Sequence, residues 1–288
     1  MLSIKFPFLF SQPPPNPPST PTASSTFWPI CSAALLSGAA ISAGIAISQN
    51  PIFNSPLLFK NPFLNNGLSP LWGSLSLSDD GSAPVTEERT GACFPSVLND
   101  TQRLLGVGVR KKAVLGLKNI DVYAFGVYAG EAEVKRHLGE KYGNLSVEEL
   151  KDRKELLDDI FDNDISMTVR LQIVYGRLSI RSVRSAFEES VGSRLKELGG
   201  SDNKELLQRF ISQFKDEYKI PKGSVIDLTK EPGHIIRTTI DGQEIGNIQS
   251  KLLCRSVLDL YIGNQPFDQK AKDDFESNLA SLLQNSVN

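Results

Sequence analysis

Apolar and polar positions alternate along much of the chain after residue 90, in two periods that predict strands and helices. Residues 120–128 carry apolar or aromatic side chains on both faces of a predicted strand, which is typical of a strand covered on both sides. Residues 106–110 predict the strand that leads into it. Residues 165–174 alternate more regularly, with apolar side chains on one face and Ser, Thr, Arg and Gln on the other. This pattern predicts a strand with one solvated face.

Helical spacing dominates the segments between and after these strands. Ser146 and Glu149 form a capping-box pattern, which predicts a helix that ends at about Phe161. The Asp-Gly pair at 241–242 predicts the turn of a hairpin. The other predicted helices span 131–138, 180–198, 203–214 (capped by Asp202), 251–261 and 268–283, and the hairpin strands span 235–240 and 244–248. This order predicts an α+β domain, in which helices pack largely on one face of an antiparallel sheet.

The first 78 residues differ in composition from the rest of the chain. They contain no Asp, Glu or Arg, two Lys, and 12 of the 17 prolines. Acid-poor, Ser-rich leaders are typical of organelle transit peptides, and the lack of Arg favours a plastid over a mitochondrion. We therefore predict a disordered plastid transit peptide at 1–78, a linker at 79–88 and one folded domain at 89–288, located in the chloroplast stroma.

An apolar run at 33–47 lies inside this leader. Its 15 residues fall short of the about 20 that a membrane-spanning helix requires, so we predict no stable membrane span. The segment 79–288 is weakly acidic, with 29 basic and 33 acidic side chains, and no basic stripe indicates a nucleic-acid partner. The histidines and cysteines lack the spacing of a zinc site. We predict neither a metal nor a cofactor.

Arg110 and Tyr123 are the candidate ligand-binding residues on the two adjoining strands. A guanidinium that faces an apolar interior is tolerated when it is paired with an anion. Strand alternation points Asp121 to the same side as Tyr123. Two alternatives stay open: Asp121 pairs with Arg110 inside the protein, or Arg110 and Tyr123 together are reserved for the acid group of a ligand.

Four segments, in order and in register, resemble the chalcone-isomerase family. They are Gly91-x-x-Phe94-Pro95, residues 105–110 (Leu-Gly-Val-Gly-Val-Arg), residues 125–128 (Phe-Gly-Val-Tyr) and the apolar helix 251–263. The resemblance covers roughly residues 88–285. It implies an open-faced β-sandwich, in which a large antiparallel sheet and a layer of helices form a ligand cleft.

The same resemblance implies that the catalytic set of the isomerases is largely lost. Isomerases of the family close a flavanone ring with an arginine, a threonine, a tyrosine, a lysine and an asparagine; here the arginine is Arg110 and the threonine position holds Tyr123. The other three positions and two specificity positions hold Ser179, Ser182, Ala186, Leu260 and Tyr261. Catalysis requires oriented polar groups where charge develops, so we predict that the protein is not an enzyme.

An arginine and a tyrosine hydroxyl at the end of an apolar cleft can hold a carboxylate, and this pairing resembles the fatty-acid-binding members of the family. We predict non-catalytic binding of free long-chain fatty acids, laurate to stearate, in support of plastid fatty-acid metabolism or storage. Two alternatives are a polyphenol- or partner-binding helper and a weak chalcone isomerase. The predicted lining of the cleft is Phe125, Ile173, Ser179, Val183, Leu260 and Tyr261.

Overall fold

The computed structural model describes residues 83–114, 117–153, 155–200 and 203–284. Within these ranges the chain forms nine strands and seven helices. The strands are β1 (Val85–Thr86), β2 (Cys93–Phe94), β3 (Val97–Leu98), β4 (Gln102–Val114), β5 (Leu117–Gly130), β6 (Met167–Ile173), β7 (Val225–Glu231), β8 (Ile235–Ile240) and β9 (Gln243–Gln249). The helices are α1 (Glu131–Tyr142), α2 (Val147–Lys151), α3 (Glu155–Asp162), α4 (Ile180–Gly199), α5 (Lys204–Ile211), α6 (Lys251–Ile262) and α7 (Gln269–Gln284).

The main sheet has seven antiparallel strands in the order β3-β4-β5-β6-β7-β8-β9, so every strand pairs with its neighbours in sequence. Strands β1 and β2 form a separate two-stranded sheet. The principal apolar core joins one face of the large sheet to the helices, among them α4, α6 and α7. The α+β architecture with a large antiparallel sheet is therefore confirmed.

Strand β5 is covered on both faces, as its alternation predicts. Tyr123, Phe125 and Val127 belong to the principal core beneath the helices. Ala124 belongs to a second, smaller cluster with Ala92 and Phe94 on the opposite face. Both faces exclude water because the N-terminal strands lie over the side of the sheet that the helices leave open.

The polar face of β6 is buried, so the prediction of a solvated face was wrong. Arg170 is 9% exposed and donates two hydrogen bonds of 2.8 Å to the carboxylate of Asp227 on β7. Thr168 is buried and its hydroxyl lies 3.0 Å from that of Thr229. A buried polar group is tolerated when it finds a partner, and β7 supplies one for each of these two side chains.

Several predicted boundaries differ from the structure. Strand β7 was not predicted, because Asp227 and Thr229, which pair with polar side chains of β6, make the segment look too polar for a buried strand. The helix that begins at the Ser146 capping box ends at Lys151, and α3 follows as a separate helix. Strand β1 lies in the segment predicted to be a linker and pairs with β2. Asp202 and the predicted transit peptide at 1–78 lie outside the described residues.

Helix α7 packs directly on β4, and Gly106 permits the close approach. A Cβ atom at this position would overlap the carbonyl oxygen of Ala271 and lie 3.2 Å from the Cβ of Phe275. We expect Gly106→Ala to lower the free energy of unfolding by about 1–3 kcal/mol, because overpacking forces α7 away from the sheet. Urea unfolding of the full chain, followed by circular dichroism, measures this.

Gly139→Ala is the matched control for Gly106→Ala. A Cβ atom at Gly139, inside α1, meets no heavy atom within 4 Å. Alanine is favoured over glycine in a helix by about 0.5–1 kcal/mol, so this variant should gain stability by that amount. Equal loss in the two variants would contradict the close approach of α7 to β4.

Candidate functional site

A cavity of about 320 Å³ lies between the large sheet and the helical layer. This volume is at the lower end of the range typical of small-molecule sites, about 300–1,000 Å³. Strands β4 to β7, helices α4 and α6 and the loop before α7 all contribute to its wall. The lining residues are Arg110, Lys112, Val122, Tyr123, Leu171, Ile173, Leu178, Ser182, Val183, Ala186, Phe187, Glu189, Ser190, Ser193, Arg194, Ile226, Leu260, Gln265 and Phe267.

The wall of the cavity changes from polar to apolar with depth. Lys112, Glu189 and Gln265 are solvent-exposed and surround the mouth. The interior is lined by buried apolar side chains, of which Leu171 and Ile226 are almost completely inaccessible to solvent. A ligand with a polar head and an apolar body therefore fits this cavity in one direction.

Arg110 stands on β4 directly opposite Tyr123 on β5. Its guanidinium carbon lies 3.7 Å from the ring centroid of Phe267, so the ring covers one face of the charged group. Among the described residues, the side chain of Arg110 makes neither an ion pair nor a hydrogen bond. The five N–H donors of the guanidinium are thus free to receive an anion.

A β-bulge at Val122 separates Arg110 from Asp121. The pairing passes from Arg110↔Tyr123 to Lys111↔Asp121, which leaves Val122 as an extra residue on β5. Asp121 instead accepts a 2.8 Å hydrogen bond from Arg89 Nε. The first alternative from the sequence, an internal pair between Arg110 and Asp121, was wrong, because strict alternation does not hold across a bulge.

Arg194, the other arginine of the wall, has its charge satisfied inside the protein. Its guanidinium lies 2.8 Å from the carboxylate of Asp259 and donates a 2.7 Å hydrogen bond to Glu197. It donates a further 2.7 Å hydrogen bond to the carbonyl oxygen of Gln265. These contacts tie α4 to α6 and to the following loop, so Arg194 shapes the wall, whereas Arg110 is left available to a ligand.

Tyr123 and Tyr261 form a buried pair of phenols behind Arg110. Their hydroxyl oxygens are 3.3 Å apart. Burial raises the pKa of Tyr123 to about 12 against an ordinary value of 10.0, and the hydrogen bond with Tyr261 and the charge of Arg110 oppose that rise. Burial likewise raises the pKa of Tyr261 well above its usual range. Both phenols are therefore protonated at neutral pH, and since one proton joins the two oxygens, the other can be donated elsewhere.

Asp268 fixes the loop that holds Phe267 over Arg110. Its carboxylate accepts a 3.1 Å hydrogen bond from the backbone N–H of Val109, the residue before Arg110. The same carboxylate accepts a 3.1 Å hydrogen bond from the backbone N–H of Lys270 at the start of α7. The stacking ring is thus anchored to the strand that carries the guanidinium.

Comparison with known proteins places this site in a family. The profile of a family described as "chalcone isomerase like" matches residues 100–276 of this chain. The chain is 53% identical to fatty-acid-binding protein 1 of Arabidopsis thaliana over 285 residues, which cover 98% of this chain and 99% of that protein. It is 32% identical to chalcone isomerase-like protein 1 of Humulus lupulus, over 72% of this chain and 96% of that one.

A crystal structure of an Arabidopsis thaliana fatty-acid-binding protein superposes with a TM-score of 0.67 at 60% identity, and the match covers 69% of this chain and 98% of that chain. The chain belongs to the chalcone isomerase-like family. The resemblance drawn from four sequence segments is confirmed, as is the fold that it implied.

The structure divides the predicted site residues of this family member into two groups. Arg110, Tyr123, Ile173, Val183 and Leu260 line the cavity. Phe125, Tyr261 and Ser179 are not part of the lining. The rings of Phe125 and Tyr261 pack 4.9 Å apart, with Tyr261 behind Tyr123, and the Ser179 hydroxyl accepts a hydrogen bond from Ser182 N as the N-cap of α4.

Sequence reasoning missed much of the cavity wall, including Val122, Phe267 and Arg194, which shape the surroundings of Arg110. Val122 escaped because a bulge has no signature in a two-residue alternation. Phe267 had a usable signal, since it is a lone aromatic residue between Pro266 and the capping Asp268 in an otherwise polar loop. Of the three small residues that replace the isomerase side chains, Ser182 and Ala186 line the cavity, whereas Ser179 caps α4.

The described ranges contain neither a candidate membrane span nor a metal-binding cluster. No helix described there has both the length and the apolar character needed to cross a membrane. No group of three or more His, Cys, Asp or Glu side chains in those same ranges could hold a metal ion.

The raised pKa of Tyr123 predicts a dependence of stability on pH. A phenol with a folded-state pKa of about 12 and an ordinary value of 10.0 stabilises the fold fully below pH 10, and this contribution is lost as the pH rises towards 12. We expect the free energy of unfolding to fall more steeply for the wild type than for Tyr123→Phe, by at most about 1.4 kcal/mol per pH unit. Urea titrations above pH 9 measure this, and identical slopes would contradict it.

Proposed function

We propose that this protein binds free fatty acids without transforming them, with the carboxylate held by Arg110 and Tyr123 and the acyl chain in the apolar cavity. The observation that carries the proposal is the state of Arg110. It lies at an apolar cavity, faces a protonated phenol across the strand pair, and has no anionic partner among the described residues. A monocarboxylate with an apolar tail satisfies both the charge and the cavity.

The energetics favour an acid with a long tail. A hydrogen bond to a charged group contributes about 1.5–3 kcal/mol, and Arg110 can donate two to one carboxylate. Each buried methylene adds about 0.8 kcal/mol. The head group therefore fixes the direction of the ligand, and a chain in the laurate to stearate range supplies most of the affinity.

The relatives support binding over catalysis. The protein matched over nearly the full chain and the matched crystal structure both carry the name fatty-acid-binding protein. Ser182 and Ala186, which line the cavity, stand where the resemblance places the lysine and the asparagine of an isomerase. With apolar or short side chains there, charge that develops on a bound chalcone would lack oriented partners.

Arg110→Ala tests the head-group site in a titration of the full chain with laurate, palmitate and methyl palmitate. We expect the wild type to bind both acids and to bind the ester more weakly, because the ester carries no charge. The variant should lose at least about tenfold in affinity for the acids, since a charge-assisted hydrogen bond contributes about 1.5–3 kcal/mol.

Lys111→Ala is the control for Arg110→Ala. Lys111 is the neighbouring cation on β4, is exposed and lies outside the cavity wall, so its removal should leave the affinity unchanged. A wild type that binds neither acid would overturn the proposal. Binding or turnover of naringenin chalcone by that same protein would then favour the polyphenol-binding or the isomerase alternative.

We further propose that residues 1–78 direct the protein to the plastid, where the bound acids serve fatty-acid metabolism or storage. Support comes from the composition of this segment, which has no acidic residue and no Arg. A full-length fusion to a fluorescent protein should accumulate in the chloroplast stroma of leaf cells. A fusion that lacks residues 1–78 should not, and the same distribution for both fusions would contradict the proposal.

A further inference from the structure

An aromatic side chain closes the inner end of the cavity. The order of the strands gives the distance of this end from Arg110. Lining residues come from β4 (Arg110), β5 (Tyr123), β6 (Ile173) and β7 (Ile226). The cavity thus crosses three strand-to-strand intervals, which is about 14 Å at about 4.8 Å per interval. The polar mouth is at the β4 end, and the buried residues lie towards β7.

The contacts of Phe187 on α4 place it on the side of the cavity away from β4. Its ring packs against those of Phe210 and Phe214, with centroids 5.6 and 5.1 Å away. The neighbouring side chain of Gln213 covers Gly246 on β9, where an added Cβ would lie 2.6 Å from Gln213 Cδ. The three aromatic rings therefore lie between the cavity and the Gln213 side chain that covers β9 at the edge of the sheet.

The Phe187 ring has little room to move aside. It is 4% exposed, and the rings of Phe210 and Phe214 behind it are fully buried and 5.6 Å apart. Helices α4 and α5 also approach closely, since a Cβ at Gly192 would lie 2.9 Å from the side chain of Leu207. Close-packed interiors resist displacement, so the ring acts as a fixed wall.

We infer that Phe187 sets the chain-length limit of the fatty acids that this protein accepts, and that the limit lies near twelve carbons. This inference rests on the proposed function and narrows its ligand to medium-chain acids. An extended chain advances about 3.6 Å for every three bonds, so a 14 Å path from Arg110 takes a chain of about twelve carbons. Further methylenes must fold back or remain in water at the mouth.

A series of saturated acids from eight to eighteen carbons, titrated against the full chain, tests the limit. In the wild type we expect the affinity to rise about fourfold per methylene, the factor for one buried methylene, and to stop rising near twelve carbons. In Phe187→Ala the rise should continue for several more carbons, because the vacated space joins the cavity and can hold apolar atoms.

Two further variants keep the test decisive. Phe187→Leu removes less volume and should move the break by fewer carbons, which covers the case in which the alanine variant does not fold. Phe161→Ala removes a buried ring of α3 that is not part of the cavity wall and should leave the break where the wild type has it.

The outcomes separate this inference from the proposed function. A break at the same carbon number in the wild type and both Phe187 variants, with acids still bound, would overturn the role of Phe187 and leave the carrier function intact. A wild type whose affinity rises steadily to eighteen carbons would overturn the limit itself. No binding of any acid by the wild type would refute the proposed function instead.

Discussion

The site depends on the charged guanidinium of Arg110, which the fold keeps apart from the nearby carboxylate of Asp121. Strand β5 gains an extra residue at Val122, and the resulting bulge separates Asp121 from Arg110. Asp121 is then held by Arg89, while Arg194 on the opposite wall is satisfied by Asp259 and Glu197. The guanidinium of Arg110 keeps its orientation from the ring of Phe267, which supplies attraction without neutralising the charge.

The protonation state of Tyr123 and Tyr261 also suits the site to binding an anion. A group that acts as a general base needs a pKa near the working pH, whereas burial holds the pKa of Tyr123 at about 12. Tyr123 is therefore a hydrogen-bond donor at neutral pH. Tyr261 lies behind it at 3.3 Å and can accept or donate, so the pair adapts when an anion arrives. Such an arrangement suits recognition of a carboxylate better than proton transfer.

Much of the fold follows from sequence pattern, and the departures have physical reasons. The covered strand β5, the Ser146 capping box and the Asp-Gly hairpin rest on local rules, and each is found where those rules place it. Strand β7 and the buried polar face of β6 depend on each other, because Asp227 satisfies Arg170 across the strand pair. Each strand alone looks solvated, so the pairing is invisible to a pattern read along one segment. For the same reason Arg110 and Tyr123 were predicted as ligand-binding residues without the bulge and the loop that position them.

The cavity itself is a consequence of side-chain size along α4. Ser182, Ala186 and Ser190 present small side chains to the cavity, and the space that they leave is closed at Phe187. Burial of apolar surface is favourable in proportion to the area removed from water, and the apolar part of the cavity wall offers such surface between α4 and the sheet. An acyl chain that binds there covers this apolar surface, and a ligand that binds the folded state alone also stabilises it. The same apolar contacts therefore contribute to the affinity for the acyl chain and to the stability of the helical layer.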